Sequence, residues 1–202
     1  MVSGTLIHSA RGYDFIIWLF TLGRERRLRE AMLESAALSP GAAVLDIGCG
    51  TGTLAIAAKR RVGAQGIVTG IDASEPMLVR ARRKARKARQ DVTFELASAD
   101  ALPFADGSFD VLLCSVMLHH LPRRMRPQMM QEARRVLSPN GRLIAIEFGA
   151  GVPNQNSLIS NMHRAAHIQP DALAQLVTDA GMRVVRQSAL GMLDLHAVIA
   201  AP

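Results

Sequence analysis

One nine-residue stretch, Val44-Leu45-Asp46-Ile47-Gly48-Cys49-Gly50-Thr51-Gly52, constrains this chain more than any other feature. An apolar run ends in three alternating glycines, and a helical pattern opens directly after them. Glycines at such a turn let the backbone approach a ligand, and the free N–H groups of the helix start point toward it. A glycine-rich loop alone is a weak signal. Here Asp46 precedes the turn, Asp72 closes the next β-like run twenty residues after Gly52, and Asp100 follows the third run. One carboxylate at a strand end is commonly a helix cap or a turn residue. Three at consecutive strand ends point instead to a shared ligand, and Asp72 stands where a carboxylate takes the ribose hydroxyls of an adenosine cofactor.

The rest of the chain supplies the sheet that this turn requires. Strand-like runs at 43–47, 67–71, 92–96, 109–114 and 142–148 alternate with helical patterns at 53–61 and 75–89 and a third ending near Leu137. Ser74 reads as the cap of the second helix with Pro76 in its first turn, and Ser138-Pro139-Asn140-Gly141 reads as a turn. Strands alternating with helices imply right-handed crossovers, hence an α/β, Rossmann-like, doubly wound and mostly parallel sheet. A helix at 171–180 is broken by Gly181, and the runs 183–187 and 196–200 lie too close together for a crossover helix. They are expected to form an antiparallel hairpin at one sheet edge.

With 202 residues, 49% of them hydrophobic, the chain can close one sizeable core, so a single domain over 1–202 is expected. Its parts are a helical arm (1–40), a cofactor-binding core (41–148), a substrate loop (149–169) and a C-terminal helix and hairpin (170–202). Within the arm, residues 13–37 read as two amphipathic helices. The 149–169 stretch carries Pro153, Asn154, Asn156, His163 and His167 and has the length of a lid or substrate-binding segment.

Charge and cysteine content narrow the partners. Much of the net charge of +7 lies between Arg80 and Arg89, where Ala81, Ala85 and Ala88 form a thin apolar stripe on an otherwise solvated helix. One Trp, one Tyr and six Phe offer little for stacking bases, which argues against nucleic acid. The two cysteines, Cys49 and Cys114, both sit in apolar segments and make no disulfide framework, so a cytoplasmic location is expected. The apolar run 15–20 is too short to span a bilayer and lacks the flanks of a signal peptide, so no targeting or transmembrane segment is expected.

Electrostatics help to choose the cofactor. A dinucleotide would set its pyrophosphate against Asp46, whereas the sulfonium and ammonium of S-adenosylmethionine are attracted to that carboxylate. Glycines at alternate positions also depart from the G-x-G-x-x-G dehydrogenase pattern. Taken with Ala99-Asp100-Ala101-Leu102-Pro103-Phe104, Ser108-Phe109-Asp110-Val111, His119-His120-Leu121 and the 134–143 run Arg-Arg-Val-Leu-Ser-Pro-Asn-Gly-Arg-Leu, the glycine turn and Asp72 resemble the class I S-adenosylmethionine-dependent methyltransferases. Within them the chain is most similar to the ubiquinone/menaquinone-biosynthesis-like group, over residues 13–148. The resemblance implies that Gly48 and Gly50 cradle the methionine part of the cofactor, with Asp46 and Cys49 in the same loop. It also implies that Asp72, next to Ala73, holds the ribose, that Met77 packs on the adenine and that Asp100 with Ala101 meets the adenine edge. The backbone near Cys114 and Ser115 would line the sulfonium end, and Tyr13 joins the cofactor set. S-adenosylhomocysteine would be the product.

Departures from relatives matter as well. Base N-methyltransferases carry an acidic or amide residue followed by Pro-Pro and an aromatic after the fourth strand, whereas this chain has Cys114-Ser115-Val116-Met117. No proline precedes Cys114, so a cytosine-type nucleophile is not expected and a buried strand cysteine is. His119 and His120 are the candidate catalytic residues, at the carboxyl edge of the sheet. Adjacent residues after a strand point opposite ways, so one is expected to face the cleft and the other to pack. His163 and His167 have ligand-like spacing, but with no third partner no metal is expected. The expected activity is methyl transfer to an oxygen, nitrogen or carbon of a small, hydrophobic acceptor. Alternatives are a quinone or phospholipid methyltransferase contacting the membrane through the arm, a methyltransferase-like protein that binds cofactor without turnover, and a dehydrogenase. Acceptor identity and oligomeric state stay open.

Overall fold

The computed structural model describes residues 25–148, 168–189 and 195–202. Tyr13, the first half of the arm, most of the 149–169 loop with His163 and His167, and the 190–194 link lie outside the described residues. In chain order the described elements are α1 (Glu25–Ala36), β1 (Ala43–Ile47), α2 (Thr53–Val62), β2 (Ile67–Asp72), α3 (Glu75–Ala88), β3 (Thr93–Leu96) and β4 (Phe109–Ser115). Two 3₁₀ turns, Leu118–His120 and Arg123–Met125, lead into α4 (Arg126–Val136), followed by β5 (Leu137–Phe148), α5 (Pro170–Asp179), β6 (Arg183–Ala189) and β7 (Leu195–Ala201).

The strands form one seven-stranded sheet in the order β3-β2-β1-β4-β5-β7-β6. Neighbours from β3 to β5 pair in parallel; β7 runs antiparallel to β5, and β6 antiparallel to β7. The doubly wound sheet with its antiparallel edge is thus the expected one. Period-two alternation explains its two cores. Val44, Val68, Val111 and Ile144 face α1, α2 and α3, while Leu45, Ile71, Leu112 and Leu143 face α4 and α5. In α1, Met32, Leu33 and Ala36 are buried, so the described half of the arm is part of the first core.

Strand order reverses between β1 and β4, leaving a crevice beyond their carboxyl ends, the usual ligand position in open α/β sheets. The glycine turn, Asp72 and the histidines all fall at that edge.

Two local expectations need correction. Ser74 stands at the start of α3, but its side chain makes no cap; the Met77 and Leu78 N–H groups bond to its carbonyl instead, and its own N–H donates to Asp72. The Ser138-Pro139-Asn140-Gly141 run is no turn. Leu137 pairs with Phe109, and the chain stays extended through a register shift into Phe148. An irregular strand tolerates the proline there, because the ladder is already interrupted.

Candidate functional site

At the end of β1 the chain must turn sharply into α2, and Gly48, Gly50 and Gly52 all take positive φ to do so. Gly48 also has no room for a side chain, since a Cβ would lie 2.2 Å from Cγ of Met117. Met117 therefore roofs the glycine turn, at the level where the resemblance places the methionine part of the cofactor.

Asp72 ties the first two strand ends together. Its Oδ2 accepts from the Gly50 N–H at 2.8 Å and its Oδ1 from the Ser74 N–H at 2.9 Å. Burial raises its pKa, while backbone hydrogen bonds from Ser74, Gly50 and Ala73 pull the other way. Asp46 is more isolated, at 2% exposure. Burial lifts its pKa to about 7, with a backbone hydrogen bond from Ala55 opposing and the Asp72 charge adding. Its Oδ2 is buried with no hydrogen-bond partner among the described residues. Such an atom costs free energy unless a donor or cation completes it. A buried, unpartnered carboxylate oxygen beside a turn with no room for a side chain at Gly48 fits a ligand with a cationic end, and it fits a pyrophosphate poorly.

Around this centre, Met77 is buried at the start of α3. Asp100 accepts a hydrogen bond from the Ser98 hydroxyl, and Ala101 closes a bridge to Ser98. Cys49 and Cys114 are free, buried thiols whose pKa values are pushed up, chiefly by burial. Neither has thiolate character at neutral pH, as expected of packing cysteines. Ser115, at the end of β4, is half-buried.

The histidine pair departs from expectation. Because Leu118–His120 is a 3₁₀ turn and no longer strand, the side chains do not alternate, and the two rings lie against each other with centroids 3.9 Å apart and a 42° tilt. His119 Nδ1 lies 3.0 Å from Glu147 Oε2, and the Leu118 N–H donates to Oε1 of the same carboxylate. Glu147 is fully buried at the end of β5. Burial lowers the His120 pKa to about 4, with the neighbouring His119 contributing further, so His120 is neutral near pH 7.

Glu147 was missed by sequence reasoning, although a lone acid inside Leu143-Ile144-Ala145-Ile146-Glu147-Phe148 was a usable signal: a charge in a strand buried on both faces needs a partner. Val116, just before Met117, holds φ 52°, a strained value for a β-branched residue, and its N–H bonds to the Ile146 carbonyl. That bend carries the chain from β4 into the histidine turn.

Comparisons with known proteins agree with this geometry. Residues 44–141 match the family described as methyltransferase domain. The chain is 36% identical to 27-O-demethylrifamycin SV methyltransferase of Amycolatopsis mediterranei over 81% of its own length and 59% of that protein's. It is 29% identical to the ubiquinone/menaquinone biosynthesis C-methyltransferase UbiE of Shewanella pealeana over 97% of this chain and 89% of the relative. Among solved structures, an S-adenosylmethionine-dependent methyltransferase from Aquifex aeolicus superposes with TM-score 0.74 at 24% identity, covering 85% of this chain and 88% of that one. The [4+2]-cyclase SpnF superposes at 0.69 with 25% identity, over 80% and 58%. The chain spans about three fifths of several of its curated relatives. Fold, turn and sequence together place the chain among the class I S-adenosylmethionine-dependent methyltransferases. Within that class it resembles the ubiquinone/menaquinone-biosynthesis-like group.

Proposed function

We propose that the chain moves the methyl group of S-adenosylmethionine to a hydroxyl of a small, hydrophobic acceptor, with His119 as general base. The observation that carries this reading is the His119–Glu147 contact. A carboxylate can only accept, so the Nδ1 facing it holds the proton, and the lone pair of His119 is left on Nε2. Glu147 fixes the ring and offsets the charge it gains when Nε2 takes the acceptor's proton. His120, neutral, packs its ring against that of His119.

Bound beyond the glycine turn, S-adenosylmethionine supplies an already activated methyl group. Asp72 would then exchange part of its backbone bonding for the ribose hydroxyls, and Asp46 Oδ2 would meet the cationic end. Met77, Asp100 and Ala101 would flank the adenine, while Gly48, Cys49, Gly50, Ala73, Cys114 and Ser115 form the walls. Alignment supplies most of the rate, about 7–11 kcal/mol against about 3–5 for a positioned base.

Relatives named for rifamycin and demethylmenaquinone substrates support a lipophilic acceptor. No helix of the described residues is long and apolar enough to cross a membrane. A cytoplasmic protein touching the bilayer through its arm fits both facts and the free buried cysteines. The named cyclase of similar fold shows that the fold alone does not choose the reaction. The test is release of S-adenosylhomocysteine over a panel of hydroxylated, aminated and carbon-nucleophile acceptors. Turnover confined to hydroxyl acceptors is expected; a folded, cofactor-binding protein that releases none with any class overturns the reading.

A further inference from the structure

One side chain joins the glycine turn to the histidine turn. A Cβ at Gly48 would overlap Cγ of Met117 and lie 2.9 Å from its Cβ, so the Met117 side chain rests directly on the backbone of the glycine turn. Gly52 is closed off differently, by Phe94 of β3 and Ala81 of α3. Those two residues belong to the core on the α1–α3 face, whereas Met117 and Leu118 belong to the core on the α4 and α5 face. Of these two glycines, only Gly48 touches the segment that carries His119.

Met117 is also where the histidine turn begins. Its carbonyl accepts the His120 N–H at 2.9 Å, the first bond of that 3₁₀ turn. One residue on, the fully buried Leu118 gives its N–H to Glu147 Oε1, and the other oxygen of that carboxylate meets His119. One residue back, Val116 keeps φ 52° while its N–H is tied to the Ile146 carbonyl at 2.7 Å. A β-branched residue holds such a conformation only where its surroundings over-determine it, and such strain gathers at functional sites and switches. Residues 116–119 are thus a stiff segment, fixed to neighbouring residues of β5 on both sides of Met117. Close-packed, stiff segments pass a displacement on instead of absorbing it.

We propose that Met117 is a positioning residue: a cofactor seated on the glycine turn bears on its side chain, and the turn that Met117 begins carries this contact to His119, setting the base as the donor binds. The consequence is an order of assembly, in which the acceptor side takes its working shape after S-adenosylmethionine is in place. The inference rests on the methyltransferase reading for the donor's seat at Gly48.

Nuclear magnetic resonance on the full chain with labelled histidine tests it without an acceptor, the His119 ring signal being assigned by its loss in His119→Ala. Saturating S-adenosylhomocysteine should move that signal in the parent. In Met117→Ala, also at saturation, the movement should fall by about half or more, the remainder being the direct effect of the ligand. Met117→Leu, which nearly restores the volume, should restore the movement, as a merely structural loss at this position would not predict. Should the alanine protein fail to fold, Val116→Gly loosens the bend with Met117 and His119 both present, and its signal should lose the same share. A parent signal that S-adenosylhomocysteine leaves unmoved, a smaller fall or none in the variant tested, or a leucine variant that behaves like alanine overturns the proposal. Failure of S-adenosylhomocysteine to bind the parent, read by calorimetry, overturns the methyltransferase reading and this proposal with it.

Discussion

The two halves of the carboxyl edge are made of different material. On the proposed donor side, at the ends of β1 and β2, backbone sets the geometry: the Gly50 and Ser74 N–H groups hold Asp72, and a Cβ at Gly48 would meet Met117. On the proposed acceptor side, beyond β4 and β5, side chains set it: His119 on Glu147, with the His120 ring tilted against that of His119. A backbone site is specified by a turn and resists change, because altering it means altering the fold. A side-chain site can be rewritten one residue at a time while the sheet stays intact, which suits a constant donor facing a variable acceptor.

That contrast breaks most sharply at His119. The substitution His119→Ala should lower kcat on a hydroxyl acceptor by about 10²–10⁴ and leave S-adenosylhomocysteine affinity within a factor of two or so. Comparing single-turnover rates with calorimetry separates the two effects. A loss of cofactor affinity as large as the loss of rate would mean that the halves are one unit.

The mirror experiment is Asp72→Ala. It removes a charged acceptor from a sheltered position, so S-adenosylhomocysteine binding should weaken by about 1.5–3 kcal/mol, roughly ten- to a hundredfold or somewhat more. The loss of its bonds to Gly50 and Ser74 should also lower the melting temperature by several degrees. Unchanged cofactor affinity in a folded variant would remove Asp72 from the donor site.

The same contrast explains what the sequence disclosed. The proposed donor half lies within residues 44–72, where strand, turn and carboxylate follow at fixed short spacings, so Asp46, Gly48, Gly50 and Asp72 could be placed together at one sheet edge in advance. The sheet was legible for a similar reason, since alternating apolar runs leave few topologies. The acceptor half is made by contacts across the fold: Glu147 meets His119 over 28 residues, through the parallel pairing of β4 with β5. No local pattern announces such a pair. The histidine geometry was misread because strand alternation was carried one turn too far, into a segment that the strained Val116 had already bent. The run at 138–141 misled in the other direction, because turn-forming residues can lie along an irregular strand when the ladder is interrupted.

The smallest expected effect sharpens the donor side further and concerns Asp46. Its carboxyl titrates near pH 7 in the free protein, chiefly through burial, against an ordinary value of 3.8. Between those values the folded state binds a proton that the unfolded chain has lost, so stability falls as pH rises from about 4 through 7. The free protein should therefore melt higher at pH 5.5 than at pH 8, by a few degrees for each kcal/mol, beyond any trend shown by an Asp46→Asn variant. Asparagine holds the position neutral at every pH, so the variant should be the more stable of the two at pH 8. Ligand binding should run the other way. A cationic end placed at Asp46 Oδ2 favours the ionised form, and S-adenosylhomocysteine affinity should rise several-fold from pH 6 to pH 8 in the parent and stay nearly flat in Asp46→Asn. Parallel pH profiles for the two proteins would show that the unpartnered oxygen faces something other than the donor's charge, and the division between a backbone-built and a side-chain-built half would then lose its carboxylate at the centre.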